Sequence, residues 1–410
     1  MELQYNAMIA TDIQKAGRKQ VLIIILASSL TIMGSVMIAA MIPKMALEFA
    51  NKTPNFNFLL AIVIAGPALT IALFSPFVGW IIDRFGRKVI LILATLFYCL
   101  FGALPALLSD FTYIAISRLI FGLTEATIMV ACSTLIADYW KENQRSKLVN
   151  FQVIAIGIVG AVFFTLGGML GEQGWRIPFY LYLLPLLLIP FMIRFLWEPV
   201  RIKHDLTIEE IDHIQTKTQI RTLVSNDLLI IFCMILAFIM PIQAPILLSQ
   251  MGVQSTTLMG LSAGLGLLSS LVGSILWTPL RINFNFLGTN VILMILAALG
   301  LYLLIHADDY KHVLVAVFFH GVAVGLMVPN MMLPVMNAVN RKHRGKALGL
   351  FTSCLYFGQF LSPILITILM KNYGDLKQSI ALLIYLTLPI ILIYLIQAII
   401  HSQKLIRLIR

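Results

Sequence analysis

Arg118 and Glu125 stand seven positions apart in the stretch RLIFGLTEA, and no other charge falls between residues 111 and 137. Of the 18 acidic residues, Glu125 alone lies in the middle of a long apolar run, and Arg118 is the only basic residue placed within one. Seven residues are close to two helical turns, so the two side chains share a face, separated by about 10 Å along the axis. An ionised side chain in hydrocarbon costs a few kcal/mol, so that face must turn away from lipid. The chemistry on offer is proton exchange. A carboxyl group is neutral in a low dielectric and ionises when water or a cation reaches it, so Glu125 could load and release a proton. Arg118 offers an anchor for an anionic group, or a tie in a buried structural network. A sodium site would need several oxygen ligands, and the sequence around Glu125 supplies few.

Other polar islands are single residues in apolar surroundings. His320 could titrate near neutral pH or serve as hydrogen-bonded packing. Gln243 sits between two prolines in PIQAP (241–245), where carbonyls freed from the helical ladder and a side-chain amide could meet a ligand. Gln152 and Asn330, the latter beside Pro329, are similar, and each could instead bridge two helices. A different pattern occurs at GWIIDRFGRKVIL (79–91), where Asp83, Arg84, Arg87 and Lys88 crowd into six positions framed by Gly79 and Gly86.

The elements that hold these residues follow from composition. The chain has 410 residues, of which 60% are hydrophobic and 11% charged, and its mean hydropathy is +0.94. That composition is a membrane protein's. About 20 apolar residues cross the hydrocarbon as a helix, and twelve runs qualify: 21–43, 57–82, 89–108, 111–138, 149–171, 176–197, 227–248, 257–280, 287–305, 311–338, 347–370 and 378–400. Helices are required because unpaired backbone in lipid is too costly and the alternation of a barrel strand is missing. With no small-residue cleavage site after it, the first run reads as a retained anchor.

The net charge of +11 does not indicate nucleic acid, because its placement follows topology. With the N-terminus in the cytoplasm, 22 of the 29 Lys and Arg residues fall on cytoplasmic segments, 6 outside and 1 within a run. This asymmetry predicts cytoplasmic termini. All five tryptophans lie near run ends, as an interfacial belt requires. Cys99, Cys132, Cys233 and Cys354 fall inside runs without CxxC or Cys/His spacing, so neither disulfides nor a metal site is indicated. No cofactor is implied, and no P-loop, GxSxG or HExxH motif supports an enzyme or an ATP-driven pump.

The organisation expected is a tail (1–20), a first six-helix bundle (21–197), a polar linker (198–226), a second bundle (227–400) and a C-terminal tail (401–410). Within the linker, Thr207 and Glu210 form a capping-box pattern that opens either a surface helix or a solvated connection. The halves look duplicated. Gly79 and Arg87 match Gly273 and Arg281 at an offset of 194, while Gly122, Asp138, Arg145 and Lys147 match Gly321, Asn337, Arg344 and Lys346 at an offset of 199. Parallel repeats with a binding site near the midplane are one architecture of secondary transporters.

On these motifs the chain resembles the major facilitator superfamily. GWIIDRFGRK is similar to the superfamily's loop between helices 2 and 3, RLIFG (118–122) to its helix 4 motif, and ADYWKENQRSK and GWRIPFYL to common members. The resemblance implies an all-α fold of twelve transmembrane helices in two pseudo-symmetric bundles that rock about a central cavity. It also implies a conformational latch of Gly79, Asp83, Gly86, Arg87, Lys88, Asp138 and Arg145. In that latch Gly79 approaches helix 11, Asp83 faces that helix's N-terminus, and Arg87 pairs with Asp83 and Asp138. RLIFGLTEA further resembles organic-anion symporters and spinster-like lipid transporters. The Gly-Pro-x-x-Gly-Gly ending common among drug antiporters is replaced by FFTLGG. The function expected is proton-coupled uptake of a small carboxylate or zwitterion by a monomer in a cell membrane, that of a bacterial inner membrane. The alternatives are a proton-driven exporter of drugs or metabolites and a lipid flippase.

Overall fold

The computed structural model describes residues 16–36, 38–140, 142–199, 219–339 and 344–409. The polar pattern at Thr207 and Glu210 lies outside them. The described chain is helical throughout, and ten helices are long and apolar enough to cross a membrane. Two differences separate this number from the twelve runs. The first run is broken into α1 (Arg18–Ser29), a 3-10 turn (Leu30–Ile32), α2 (Met33–Val36), a second 3-10 turn (Ala39–Met41) and α3 (Ile42–Phe49). Two other runs form one 50-residue element, Thr256–Ile305, bent at Asn285, where φ is 54° and ψ is −166°.

In order, the remaining elements are α4 (Phe56–Phe85), α5 (Arg87–Ala103), α6 (Phe111–Tyr139) and α7 (Glu142–Gly171). A 3-10 stretch (Ile177–Leu188) leads into α8 (Ile189–Phe195). The second half holds α9 (Ile220–Gln250), the bent α10 (Thr256–Ile305), α11 (Tyr310–Asn337), α12 (Arg344–Tyr373) and α13 (Leu376–Ile409). Successive passages alternate between an end that carries residues 16 and 409 and an opposite, far end. Helix starts at the far end are set by short polar caps. Asp110, Ser255 and Asp309 accept from the backbone N–H of Thr112, Leu258 and His312, which satisfies donors the first helical turn leaves free.

Packing within each half repeats one device. Gly122 on α6 leaves no room for a Cβ against the Pro67 backbone of α4, and Gly321 on α11 is equally close to Gly266 O of α10. The offset match of these two glycines therefore corresponds to one contact made twice, where backbones approach because a side chain is missing. Large apolar side chains such as Leu73, Phe77, Leu100 and Ile275 remain exposed on the outer faces, as a hydrocarbon-facing surface requires.

Candidate functional site

The break in the first passage is where the charged face of α6 lands. A helix that loses its ladder frees carbonyls, and in an apolar interior each needs a donor. Here the donors come from three other elements. Tyr98 OH donates to Leu30 O at 2.8 Å and Tyr182 OH to Met33 O at 2.9 Å, while Arg118 Nη2 donates to Gly34 O. The guanidinium also lies 4.1 Å from the ring centroid of Phe121 and 5.5 Å from that of Tyr182, a favourable arrangement of cation and aromatic face. Arg118 is thus sealed among the aromatic rings and the backbone of the first passage, fully buried. In this state the guanidinium ties α6 to the first passage.

Glu125 is also fully buried, and its carboxyl group lies directly over Gly34. A Cβ at that glycine would occupy the carboxyl's own space. Arg118 and Glu125 therefore converge on one residue of the broken passage, as their shared helical face predicts. Among the described residues, neither carboxyl oxygen of Glu125 has a hydrogen-bond partner, nor do Nε and Nη1 of Arg118. Unpaired buried polar atoms are uncommon and costly.

Two cavities matter. One, of about 240 Å³, sits among α9, α10 and α11, with Ile32 and Phe164 of the first half closing one side. His320 lines it, with Nε2 3.1 Å from Leu236 O. The other, about 1170 Å³, is a cleft at the far end between α3 and α4 on one side and α9 and α12 on the other, and Gln243 lines it. Gln152 is half-buried on α7 and lines neither. Asn330 is drawn away from both. Its Oδ1 accepts from Arg281 Nη1 at 2.8 Å and Trp277 Nε1 at 3.3 Å, and its Nδ2 donates to Asn290 Oδ1 at 2.7 Å. An amide so engaged bridges α10 and α11 in this state.

The sequence profile of the Major Facilitator Superfamily matches residues 24–363 and 228–402. The chain belongs to this superfamily. The superfamily is one of membrane transporters, not of enzymes. Superfamily members similar in sequence include the cis,cis-muconate transport protein of Acinetobacter baylyi, 29% identical over 154 residues. Another is the class B tetracycline resistance protein of Escherichia coli, 30% identical over 165 residues. These matches span 37% and 40% of this chain and 36% and 40% of the relatives' own length. Among solved structures, a D-xylose–proton symporter superposes with a TM-score of 0.74 at 18% identity, covering 92% of this chain and 96% of the other. An inward-facing, unoccupied bacterial homologue of Spinster gives 0.68 at 13%, covering 93% and 96%. Such identities establish the superfamily fold alone.

The superfamily's signature loop, between α4 and α5, can now be described. Arg87 Nε is 2.5 Å from Asp138 Oδ2, and Arg87 Nη2 is 3.6 Å from Asp83 Oδ1. Gly86 has φ +100°. A residue absent from the sequence reading completes the loop. Glu198 Oε1 accepts from Arg87 N at 2.7 Å and its Oε2 from Lys88 N at 2.9 Å, which places a carboxylate on the positive N-terminus of α5. Lys88 Nζ returns to Ile193 O at 2.8 Å. The only advance signal for Glu198 was an acid just beyond a run end, and such residues are common. In this state a Cβ at Gly79 would meet nothing within 4 Å, and the Asp83 side chain is 68% exposed. Arg145 is helical, and its side chain lies outside the described residues. In the second half Trp277 stands where an aspartate would repeat Asp83, and Arg281 binds Asn330, not the exposed Asn337.

Proposed function

We propose that the chain is a proton-coupled secondary transporter that moves a small organic solute by alternating access, with Glu125 as the proton carrier. The observation that carries this is a fully buried carboxyl group whose two oxygens have no partner, set against a break in the first passage. A proton removes the charge that hydrocarbon penalises, and a small movement of the broken passage would uncover the group to water. Twelve passages in two bundles, with both termini in the cytoplasm, complete this reading, supported by the charge asymmetry and the fold of the structural neighbours. Uptake by symport follows the helix pattern RLIFGLTEA. Export is favoured by the largely apolar cavity and by similarity to a tetracycline resistance protein.

The latch role rests on Arg87 holding Asp138 and Asp83 together at the ends of α6 and α4. The decisive test uses a solute found by an uptake and efflux screen in cells with and without the protein. In proteoliposomes under an imposed pH gradient, Glu125→Gln should abolish gradient-driven accumulation while leaving solute exchange at equal pH. Accumulation that survives the substitution defeats the assignment.

A further inference from the structure

The 240 Å³ cavity has a one-sided polar chemistry. No Asp, Glu, Lys or Arg lines it, and most of its wall is Met, Phe, Pro, Val and Ala. Its polar side chains are Ser262, Ser270 and His320. Ser262 Oγ donates to Met259 O at 2.7 Å and Ser270 Oγ donates to Leu267 O at 2.7 Å. Each hydroxyl has spent its proton on its own helix and keeps only lone pairs. His320 Nε2 faces a carbonyl, which can only accept, so in the neutral ring Nδ1 is an acceptor as well. Two more acceptors come from the backbone. Pro241 and Pro245 carry no N–H, so the carbonyls of Ala237 and Pro241, four residues earlier on the same helix, lose their helical donors, and both residues line the cavity.

We infer that this cavity is the solute site and that it selects compact, largely apolar molecules whose polar group donates hydrogen bonds, as an alcohol or an amine does, and rejects carboxylates. A carboxylate brings acceptors to a wall of acceptors and a charge to a wall with no cation. A hydroxyl or amino group meets its complement. The volume exceeds the roughly 150 Å³ of an apolar cavity that holds benzene, which leaves room for an aromatic ring with a short polar arm. This departs from the carboxylate or zwitterion expected at the outset. That expectation leaned on Arg118, which is sealed against the first passage and lines neither cavity.

The inference rests on the transporter reading, so its test avoids proton coupling. Binding is measured calorimetrically on the full chain in lipid nanodiscs without a gradient, using hydrocinnamyl alcohol, hydrocinnamylamine, hydrocinnamate and propylbenzene, which share one carbon skeleton. The alcohol or the amine should bind at least about tenfold more tightly than hydrocinnamate, the change expected for one added hydrogen bond. The stronger of the two distinguishes a neutral from a cationic donor. His320→Phe should weaken the donor ligands about tenfold and leave propylbenzene nearly unchanged. Ser262→Ala, a smaller change that preserves folding, should weaken them several-fold. Hydrocinnamate binding as tightly as the donors would overturn the inference, as would donor affinities unmoved by both substitutions. Gly345→Ala, where a Cβ would meet nothing within 4 Å, should leave all four affinities in place, and with no gradient applied loss of coupling and loss of this selectivity are read separately.

Discussion

Replacing Gly34 with alanine would put a methyl group where the Glu125 carboxyl now lies. Overpacking a filled interior costs about 1–3 kcal/mol, and here the displaced group is the proposed proton carrier. Gly34→Ala should therefore lose gradient-driven transport as Glu125→Gln does and lower the melting temperature as well. Gly345→Ala, on a site with nothing within 4 Å, should change neither. Flux and thermal unfolding of the two variants, side by side, check this. If Gly34→Ala transports normally, Glu125 does not need its seat on the first passage. At this scale the sequence reveals the acid but not its seat. A lone carboxylate inside an apolar run is conspicuous because hydrocarbon penalises it, whereas a glycine in a membrane helix has many reasons to be there. Arg118 carried two readings for the same physical reason. A buried guanidinium has five donors to place, and only the fold shows that one goes to Gly34 O and that the ring faces of Phe121 and Tyr182 receive its cation.

Hydropathy locates the helical passages because crossing hydrocarbon leaves a mark about 20 residues long. The observed α4, α6, α9 and α11 begin and end within a few residues of the apolar runs, apart from the early start of α9. Interruptions leave no such mark. The first passage breaks over residues 30–41, where Tyr98, Tyr182 and Arg118 from three distant elements donate to Leu30 O, Met33 O and Gly34 O. The bend in α10 is more local. Asn285 Oδ1 accepts from Leu287 N at 2.9 Å and Gly288 N at 3.3 Å, so it acts as the cap of a new helix inside one continuous element. Its φ of 54° with ψ of −166° is a conformation that glycine adopts readily and other residues only under strain. Asn285→Ala should cost about 1–2 kcal/mol, through the lost cap and the strained backbone together. Asn285→Gly should cost less, since it retains the conformation and loses only the cap. Equal melting temperatures for the two variants would show that φ contributes nothing.

At the scale of the whole molecule, transport requires the halves to part at one end and meet at the other, and the far end shows how the α7 and α10 seam is held. Gly168 and Gly260 face each other with no space for a Cβ, and Thr256 Oγ1 donates to Gly168 O at 2.7 Å. Glu172, just past α7, accepts from Ser255 Oγ at 2.6 Å and Thr257 N at 2.9 Å, so a carboxylate from the first half sits on the N-terminus of α10 in the second. Lys44 Nζ lies 3.8 Å from its other oxygen. Partial burial acts to raise the pKa of this carboxyl, but the bonds to Ser255 and Thr257 and the nearby Lys44 outweigh it, and the group titrates below the usual carboxylate range. A depressed carboxylate contributes its stabilisation above the unfolded value, about 4.3, and loses it only as pH falls through the lower folded value. The clasp should therefore be indifferent to pH between about 5 and 8, and any transport dependence in that range has to arise elsewhere, with Glu125 as the candidate. Spin labels at the far ends of α7 and α10 make this measurable. Glu172→Ala should lengthen the mean distance and broaden its distribution at neutral pH, as the seam loses a charged contact between halves. Asp83→Asn, at the opposite end, should shift the balance of open and closed states read by labels across that end, because it removes one of the two partners of Arg87. A far-end distance that changes between pH 5 and 8 in the native chain, yet not in Glu125→Gln, would tie proton binding at the midplane to the seam through the broken first passage. A change that persists in Glu125→Gln would place the sensor in another group and remove the coupling role argued for Glu125.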